Sequence, residues 1–336
     1  MKGKLKPLES QVLVVTGASS GIGLLVARSA AEAGARVLLV ARNVEALDDI
    51  RNEIVAAGGI AEVAAADVGD AKAVKAVADR AIDLFGRIDT WVNNAGVAIY
   101  ARLLETPEAE HERLFRTNYF GVVHGCLAAV PHLRRQGGAL ITVASIASDM
   151  PSPILGAYTA SKHAVKAYVE SLRIELLADG APIAVTLVKP AGMATPIGVH
   201  AANHLEGEAL VPPIAYDPQL VADAVLYCAQ HFRREVTVGG IGRAQALFAT
   251  HFPTLFDRLA PIVVPFLSTR CVPKTADNDL WKAGTGGEAR SPHETGLLVS
   301  RYTSVALQPK ITMATALMAT VVGAGLLWQR LRRITP

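Results

Sequence analysis

The stretch Thr16-Gly17-Ala18-Ser19-Ser20-Gly21-Ile22-Gly23 constrains this chain more than any other. It lies between an apolar run of β type at 12–15 and an alanine-rich helical pattern that starts near Leu24. A tight glycine turn in that position sets backbone N–H groups and the positive end of a helix against an anionic group such as a pyrophosphate. Gly17 suits a strained turn, Gly21 permits close approach of the backbone, and Gly23 lets the helix lie against the sheet. Glycine spacing alone is a weak signal. Directly after a buried strand near the N-terminus it is a strong one.

Seven short apolar runs, at 12–15, 36–40, 61–65, 90–92, 139–143, 183–188 and 235–238, alternate with stretches of helix length. Near-continuous apolar strands separated by helices predict an α/β fold, a Rossmann-like doubly wound parallel sheet of about seven strands with helices on both faces. Ligands of such sheets bind at the carboxyl ends of the strands, where the glycine turn sits. The composition agrees: 51% of residues are hydrophobic and 5% aromatic, which suits buried strands and packed helices rather than a disordered chain. A length of 336 residues leaves room for one large domain and an appendage. The net charge of +3, without a basic stripe, argues against nucleic acid as a partner. Cys126, Cys228 and Cys271 lack paired spacing, which predicts reduced thiols in a cytoplasmic setting with neither disulfides nor a zinc site. The short basic N-terminus does not read as a signal peptide.

The sheet domain is expected over 1–250, followed by an apolar flap or helical extension at 251–271 with prolines at 253, 261 and 265. Residues 272–310 are polar and glycine-rich, the composition of a linker. A hydrophobic helix is predicted at 311–333. Residues 311–328 carry no charge and are followed by Arg330, Arg332 and Arg333. That length is close to the minimum for crossing a bilayer, and Trp328 suits the interface. Membrane association through 311–328, with the sheet domain in the cytoplasm, is therefore expected. The alternative is a helix docked on the domain or on a partner.

Tyr158 and Lys162 stand four apart in Ala157-Tyr158-Thr159-Ala160-Ser161-Lys162, so both side chains share one face of the helix that begins there. A phenol with its ordinary pKa of about 10 is a poor acid–base group at neutral pH. An ammonium beside it favours the phenolate and draws the pKa down, as would the positive ring of an oxidised nicotinamide. Ser145, just after the run at 139–143, could hydrogen-bond a substrate oxygen where charge develops. Structural Tyr–Lys pairs on helices are common, so the pair alone decides nothing.

Together these residues resemble the short-chain dehydrogenases/reductases, over roughly 6–242. Five elements correspond in order: the turn at 16–23, Asp67-Val68, Asn93-Asn94-Ala95-Gly96, Asn118, and Ser145 with Tyr158-x-x-x-Lys162. The resemblance implies an oxidoreductase acting on CH–OH groups with NAD(P). It makes Tyr158 the general acid/base, and Lys162 the group that tunes it and holds the nicotinamide ribose. Ser145 would position the carbonyl or alcohol, and Asn118 would keep a water in the proton relay. Gly17, Ser19, Ser20, Gly21, Ile22 and Gly23 would cradle the cofactor, Asp67 would contact the adenine beside Val68, and Asn94, Ala95, Gly96 and Pro190 would flank it. Thr195 would meet the carboxamide. A homodimer or homotetramer is implied as well. One departure is visible. Ala191 stands in Lys189-Pro190-Ala191-Gly192 where the family usually has glycine after proline, which puts the local path of that loop in question.

Charge at the end of the second strand bears on the cofactor. A carboxylate there would hydrogen-bond the ribose of NAD and repel a 2′-phosphate. This strand ends Val40-Ala41-Arg42-Asn43, with an arginine whose planar fork suits a phosphate, so NADP(H) is favoured over NAD(H). Otherwise Arg42 is a solvated loop charge. Met150, Pro151, Ile154 and Leu155, with Met193, Ile197, Val199 and Leu205, predict an apolar pocket for a lipophilic carbonyl or alcohol, unless they pack on the core. His200 and His204 have no third ligand in the sequence, and no metal site is expected. The expected function is an NADP(H)-dependent alcohol–ketone or alcohol–aldehyde oxidoreductase. Its competitors are a catalytically weak nucleotide-binding module and a membrane-recruitment protein on the same scaffold.

Overall fold

The computed structural model describes residues 5–212, 214–269 and 278–308. Its strands are β1 (Val12–Thr16), β2 (Arg36–Ala41), β3 (Ile60–Ala65), β4 (Thr90–Asn93), β5 (Ile99–Tyr100), β6 (Gly138–Val143), β7 (Ile183–Pro190), β8 (Ala202–Asn203), β9 (Glu208–Ala209), β10 (Glu235–Val238) and β11 (Ser268–Thr269). Seven of them form one parallel sheet in the order β10-β7-β6-β4-β1-β2-β3. Each coincides with a predicted run to within two residues at either end. The chain winds from β1 out to β3 and then crosses to β4 on the other side of β1. The crevice at the carboxyl ends of β1 and β4 is thus the topological switch point.

The helices are α1 (Gly21–Glu32), α2 (Val44–Ala56), α3 (Ala71–Phe85), α4 (Glu108–Phe115), α5 (Gly121–Gln136), α6 (Gly156–Ala178), α7 (Ile197–His200), α8 (Gln219–Gln230), α9 (Gly240–His251), α10 (Pro253–Leu259) and α11 (Arg301–Leu307). Along β1, Leu13 and Val15 join one core with α1 and α8, while Val14 joins the opposite core with α3, α5 and α6. Both faces of the strand are dry, which is why its sequence lacks polar alternation. Local chemistry marks the helix ends. Asn43 accepts from Ala46 N–H at 3.0 Å and Asp70 from Lys72 N–H at 2.8 Å, satisfying orphan donors of α2 and α3. Gly86, at φ 75°, closes α3 in the left-handed region. Between α4 and α5 the helix widens to a π turn over Arg116–Phe120, a distortion that often marks functional positions.

The segment that composition assigns to a linker behaves otherwise where it is described. Residues 278–308 have an irregular backbone apart from α11, yet they are bonded to the sheet domain. Leu297 N–H donates to Ala215 O at 2.9 Å, Asp217 N–H donates to Leu297 O at 3.0 Å, and Arg290 pairs with buried Asp217 at 2.7 Å. Backbone groups make most of these ties, so the side-chain composition gave no sign of them. The predicted hydrophobic helix at 311–333 and Cys271 lie outside the described residues. Among the described residues, no helix is long and apolar enough to cross a membrane. Cys126 and Cys228 are buried free thiols, each pushed up to about 12 by burial.

Helix α5 reaches the sheet through Gly125. A side-chain carbon there would lie 2.0 Å from Asn93 Oδ1 and 2.8 Å from Trp91 Nε1, two atoms already hydrogen-bonded to each other at 2.8 Å. Gly125→Ala should therefore lower stability by about 1–3 kcal/mol, as overpacking does elsewhere. Urea unfolding checks this; an unchanged midpoint would refute the close approach.

Candidate active site

The glycine turn joins β1 to α1 with Gly17 at φ 68° and Gly21 at φ 54°, both in the region that favours glycine. Gly23 is held for a different reason: a side-chain carbon on it would sit 2.0 Å from Gly17 O. Helix α1 can begin this close to the turn only without one. The end of β4 is bound to the same turn. Asn94 Nδ2 donates to Thr16 O at 3.0 Å, while Thr16 Oγ1 accepts from Asn94 N–H at 3.0 Å and from Ala95 N–H at 3.2 Å. Neighbouring Asn93 points the other way, into the core, where it accepts from Trp91.

Tyr158 and Lys162 stand on the first turns of α6, against the end of β6. Lys162 is buried, donates to Val143 O at 3.3 Å and places its ammonium 5.5 Å from the centre of the Tyr158 ring. Ser145 shares a hydrogen bond with the Tyr158 hydroxyl, and its Oγ also accepts from Ala147 N–H at 3.1 Å. Burial pushes the Tyr158 phenol up to about 12, with the Ser145 hydrogen bond opposing, and burial pulls Lys162 down to about 8. Within the protein alone, loss of water is the largest influence on both groups and opposes the charged form of each.

Asn118 lies in the π turn, fully buried. Its Nδ2 donates to Val97 O at 2.9 Å and to Ser161 Oγ at 3.1 Å, and its Oδ1 accepts from Val97 N–H at 2.8 Å. Both amide protons are engaged. Ser161 Oγ in turn donates to Tyr158 O at 2.7 Å, so Asn118 braces the helix that carries the tyrosine.

One cavity of about 350 Å³ runs along the carboxyl edge of the sheet. It is lined by Gly17, Ser19, Ser20, Gly21, Ile22, Arg42, Asp67, Val68, Asn94, Ala95, Gly96, Ser145, Tyr158, Lys162, Pro190 and Thr195. Every predicted site residue is there except Gly23 and Asn118, which stand behind the lining. At one end, Arg42 Nη2 donates to Asp279 O at 2.5 Å, and Nη1 is buried without a partner. Asp67 is engaged by Arg113 at 2.7 Å and by Gly69 N–H at 2.8 Å; these bonds, against the effect of burial, hold its carboxyl below the usual range.

The glycine turn at the switch point and the tyrosine–lysine–serine cluster thus line the same cavity. The family model described as short chain dehydrogenase matches residues 11–205. The chain belongs to the short-chain dehydrogenase/reductase family. It is 39% identical to an uncharacterized oxidoreductase, YxnA, of Bacillus subtilis, over 93% of this chain and 90% of that one. It is 34% identical to the bovine dehydrogenase/reductase SDR family member 7B, over 58% of this chain and 61% of the relative. A metagenomic short-chain oxidoreductase solved in complex with NADP is 35% identical, with a TM-score of 0.57 over 68% of this chain and 96% of that one. A short chain dehydrogenase of Burkholderia cenocepacia, also with NADP, is 28% identical, with a TM-score of 0.64 over 76% of this chain and 99% of that one. The protein is accordingly an oxidoreductase of this family with a nicotinamide cofactor.

The departure from the family at Ala191 has a local explanation. Side-chain carbons on Gly239 and Gly242 would lie 2.7 and 2.5 Å from the Ala191 methyl, so those two glycines make room for it. Of the predicted pocket wall, Met150, Pro151, Leu155, Met193 and Ile197 line the cavity. Ile154 and Leu205 instead pack with Tyr100, and Val199 is not in the lining. Sequence reasoning missed Gln245, and it missed Phe256 and Val263 as individual wall residues, although the stretch that holds those two reads as a flap. It also missed His200, Asp279, Ala283 and Gly284. His200 and His204 share no helix face, because α7 ends at His200. Each approaches a carboxylate, Asp279 at 3.3 Å and Glu110 at 2.8 Å respectively.

The lip of the pocket is anchored by a charge network that spacing does not reveal. Asp149, just before Met150, accepts from Lys166 on α6 at 2.5 Å and from buried Lys189 on β7, which also meets Glu235 at 2.5 Å. Although burial acts in the opposite sense, these lysines hold the Asp149 carboxyl below its ordinary range. A depressed carboxyl adds stability above its unfolded value of about 3.9, and loses it as pH falls through the folded one. Asp149→Asn is expected to cost about 2 kcal/mol at pH 7, the scale of a charged hydrogen bond. The gap from wild type should shrink below about pH 4. Urea midpoints at several pH values give the answer, and a gap independent of pH would remove the linkage.

Proposed function

We propose that the protein is an NADP(H)-dependent oxidoreductase that interconverts a lipophilic secondary alcohol and ketone, or a primary alcohol and aldehyde. The observation that carries this reading is the cavity itself, with Ser145, Tyr158 and Lys162 at one end and the unpartnered Nη1 of Arg42 at the other. A buried guanidinium nitrogen without a partner fits a phosphate oxygen. The left-handed turn at Gly17 and Gly21 fits a pyrophosphate approaching the start of α1. When bound, the nicotinamide supplies or accepts the hydride.

The chain supplies the rest. Tyr158 gives a proton to the substrate oxygen in reduction and takes one back in oxidation, while Ser145 holds that oxygen by a hydrogen bond. The buried ammonium of Lys162 stabilises the phenolate left behind. With burial holding the phenol in its neutral form, Tyr158 carries the proton that reduction consumes. The walls formed by Met150, Leu155, Met193, Ile197, Phe256 and Val263 exclude water and favour an apolar substrate. The uncharged run at 311–328 is in keeping with such a substrate and with membrane association.

Two substitutions test the assignment. Tyr158→Phe should reduce turnover by about 10²- to 10⁴-fold while leaving the dissociation constant for NADPH little changed. Near-normal rates on a carbonyl panel, followed by NADPH absorbance, would overturn the acid/base role. Arg42→Asp should lower the NADPH-to-NADH ratio of kcat/KM by about ten- to hundred-fold, the scale of a charge-assisted hydrogen bond. A ratio that stays put would exclude Arg42 as the reader of the 2′-phosphate.

A further inference from the structure

The described part of the C-terminal segment crosses the mouth of the cofactor groove and is fixed to both banks. At its start, Asp279 N–H donates to His200 O at 2.8 Å and the Asp279 carboxylate stands 3.3 Å from His200 Nδ1, on the bank formed by α7. The carbonyl of the same residue accepts from Arg42 on the opposite bank at 2.5 Å. Asn43 then donates to Gly284 O at 2.8 Å. Further along, Gly287 N–H donates to Ser19 O at 2.7 Å, and Gly21 N–H donates to Glu288 O at 2.8 Å. The segment returns to the first bank where Ser291 N–H donates to Ala194 O at 2.9 Å and Arg290 grips Asp217. Asp279, Ala283 and Gly284 line the same cavity as Gly17 and Tyr158.

Resting on the cofactor reading above, we propose that residues 278–291 form the outer wall of the dinucleotide site, with Asp279 as its latch. The cofactor leaves this enzyme only when that strap lifts. A dinucleotide lying along the groove has the sheet edge beneath it and the strap above. The strap's bonds to Ser19, Gly21, Arg42, Asn43, Ala194 and His200 are independent of the reacting atoms, so they add to retention rather than to chemistry. Asp279 is a positioning residue in this scheme. Its one backbone unit and carboxylate tie the two banks together, and lid opening then limits cofactor exchange.

The test uses the full chain loaded with NADPH, chased with excess NADP⁺ and followed by NADPH fluorescence in stopped flow. Gly286 has φ 74°, and a side-chain carbon there would lie 2.8 Å from the Ala46 methyl, so Gly286→Val pushes the strap off the turn. Arg290→Ala removes the tie to Asp217 without touching the groove. Release of NADPH should accelerate about ten-fold or more in Gly286→Val, the loss of one or two hydrogen bonds, and by a smaller factor in Arg290→Ala. Release at the wild-type rate in both variants, with unchanged circular dichroism, overturns the strap. So does faster NADPH entry with unchanged release, which would make the segment a plug and not a wall. Should Gly286→Val fold poorly, Arg290→Ala decides alone. A wild-type protein that binds neither NADPH nor NADH would sink the cofactor reading itself, an outcome distinct from either of these.

Discussion

The approach of Gly23 to the carbonyl of Gly17 sets the geometry on which the rest of the site depends. With only 2.0 Å available to a side-chain carbon, α1 starts directly on the turn that ends β1. The amide end of that helix then faces the switch point between β1 and β4, beside Asn94 and Ala95. From there the cavity extends to the end of β6 and the first turns of α6, so the glycine turn and the tyrosine–lysine pair share one sheet edge.

Desolvation governs the proton-handling end. The same burial that raises the Tyr158 phenol lowers the Lys162 ammonium, so loss of water opposes the charged form of each. Such a pair responds strongly to any charge delivered next to it, because little water remains to screen the field. Around this pair the structure is braced by groups that touch no reacting atom. Asn118 and Ser161 support α6 from behind, while Asp149 joins α6 to β7 through two lysines.

Much of this was legible in the sequence, for physical reasons that differ by element. The inner strands stood out because a strand dry on both faces is apolar nearly throughout, and only its flanks can punctuate it. The Tyr158–Lys162 pair was legible because helical spacing turns a four-residue separation into a shared face. The pKa balance was not, since burial cannot be read from neighbours in sequence. Nor was the Asp149 network, whose partners Lys166 and Lys189 come from other elements. Nor was the docking of the segment at 278–291 on the sheet domain. Its ties run mainly through backbone groups at Asp279, Gly284, Gly287, Glu288 and Ser291, and a polar, glycine-rich composition hides them.

Ala191 shows how such a fold inherits change. Its methyl fits only because Gly239 and Gly242 leave space on the neighbouring segment that follows β10. The three positions form a single packing unit spread over two loops. A graft that imported the loop after β7 from this protein into a relative with bulkier residues at the other two places would meet a clash remote from the transplanted sequence. Recombination among such enzymes has to respect that pairing, with both loops moving as one module.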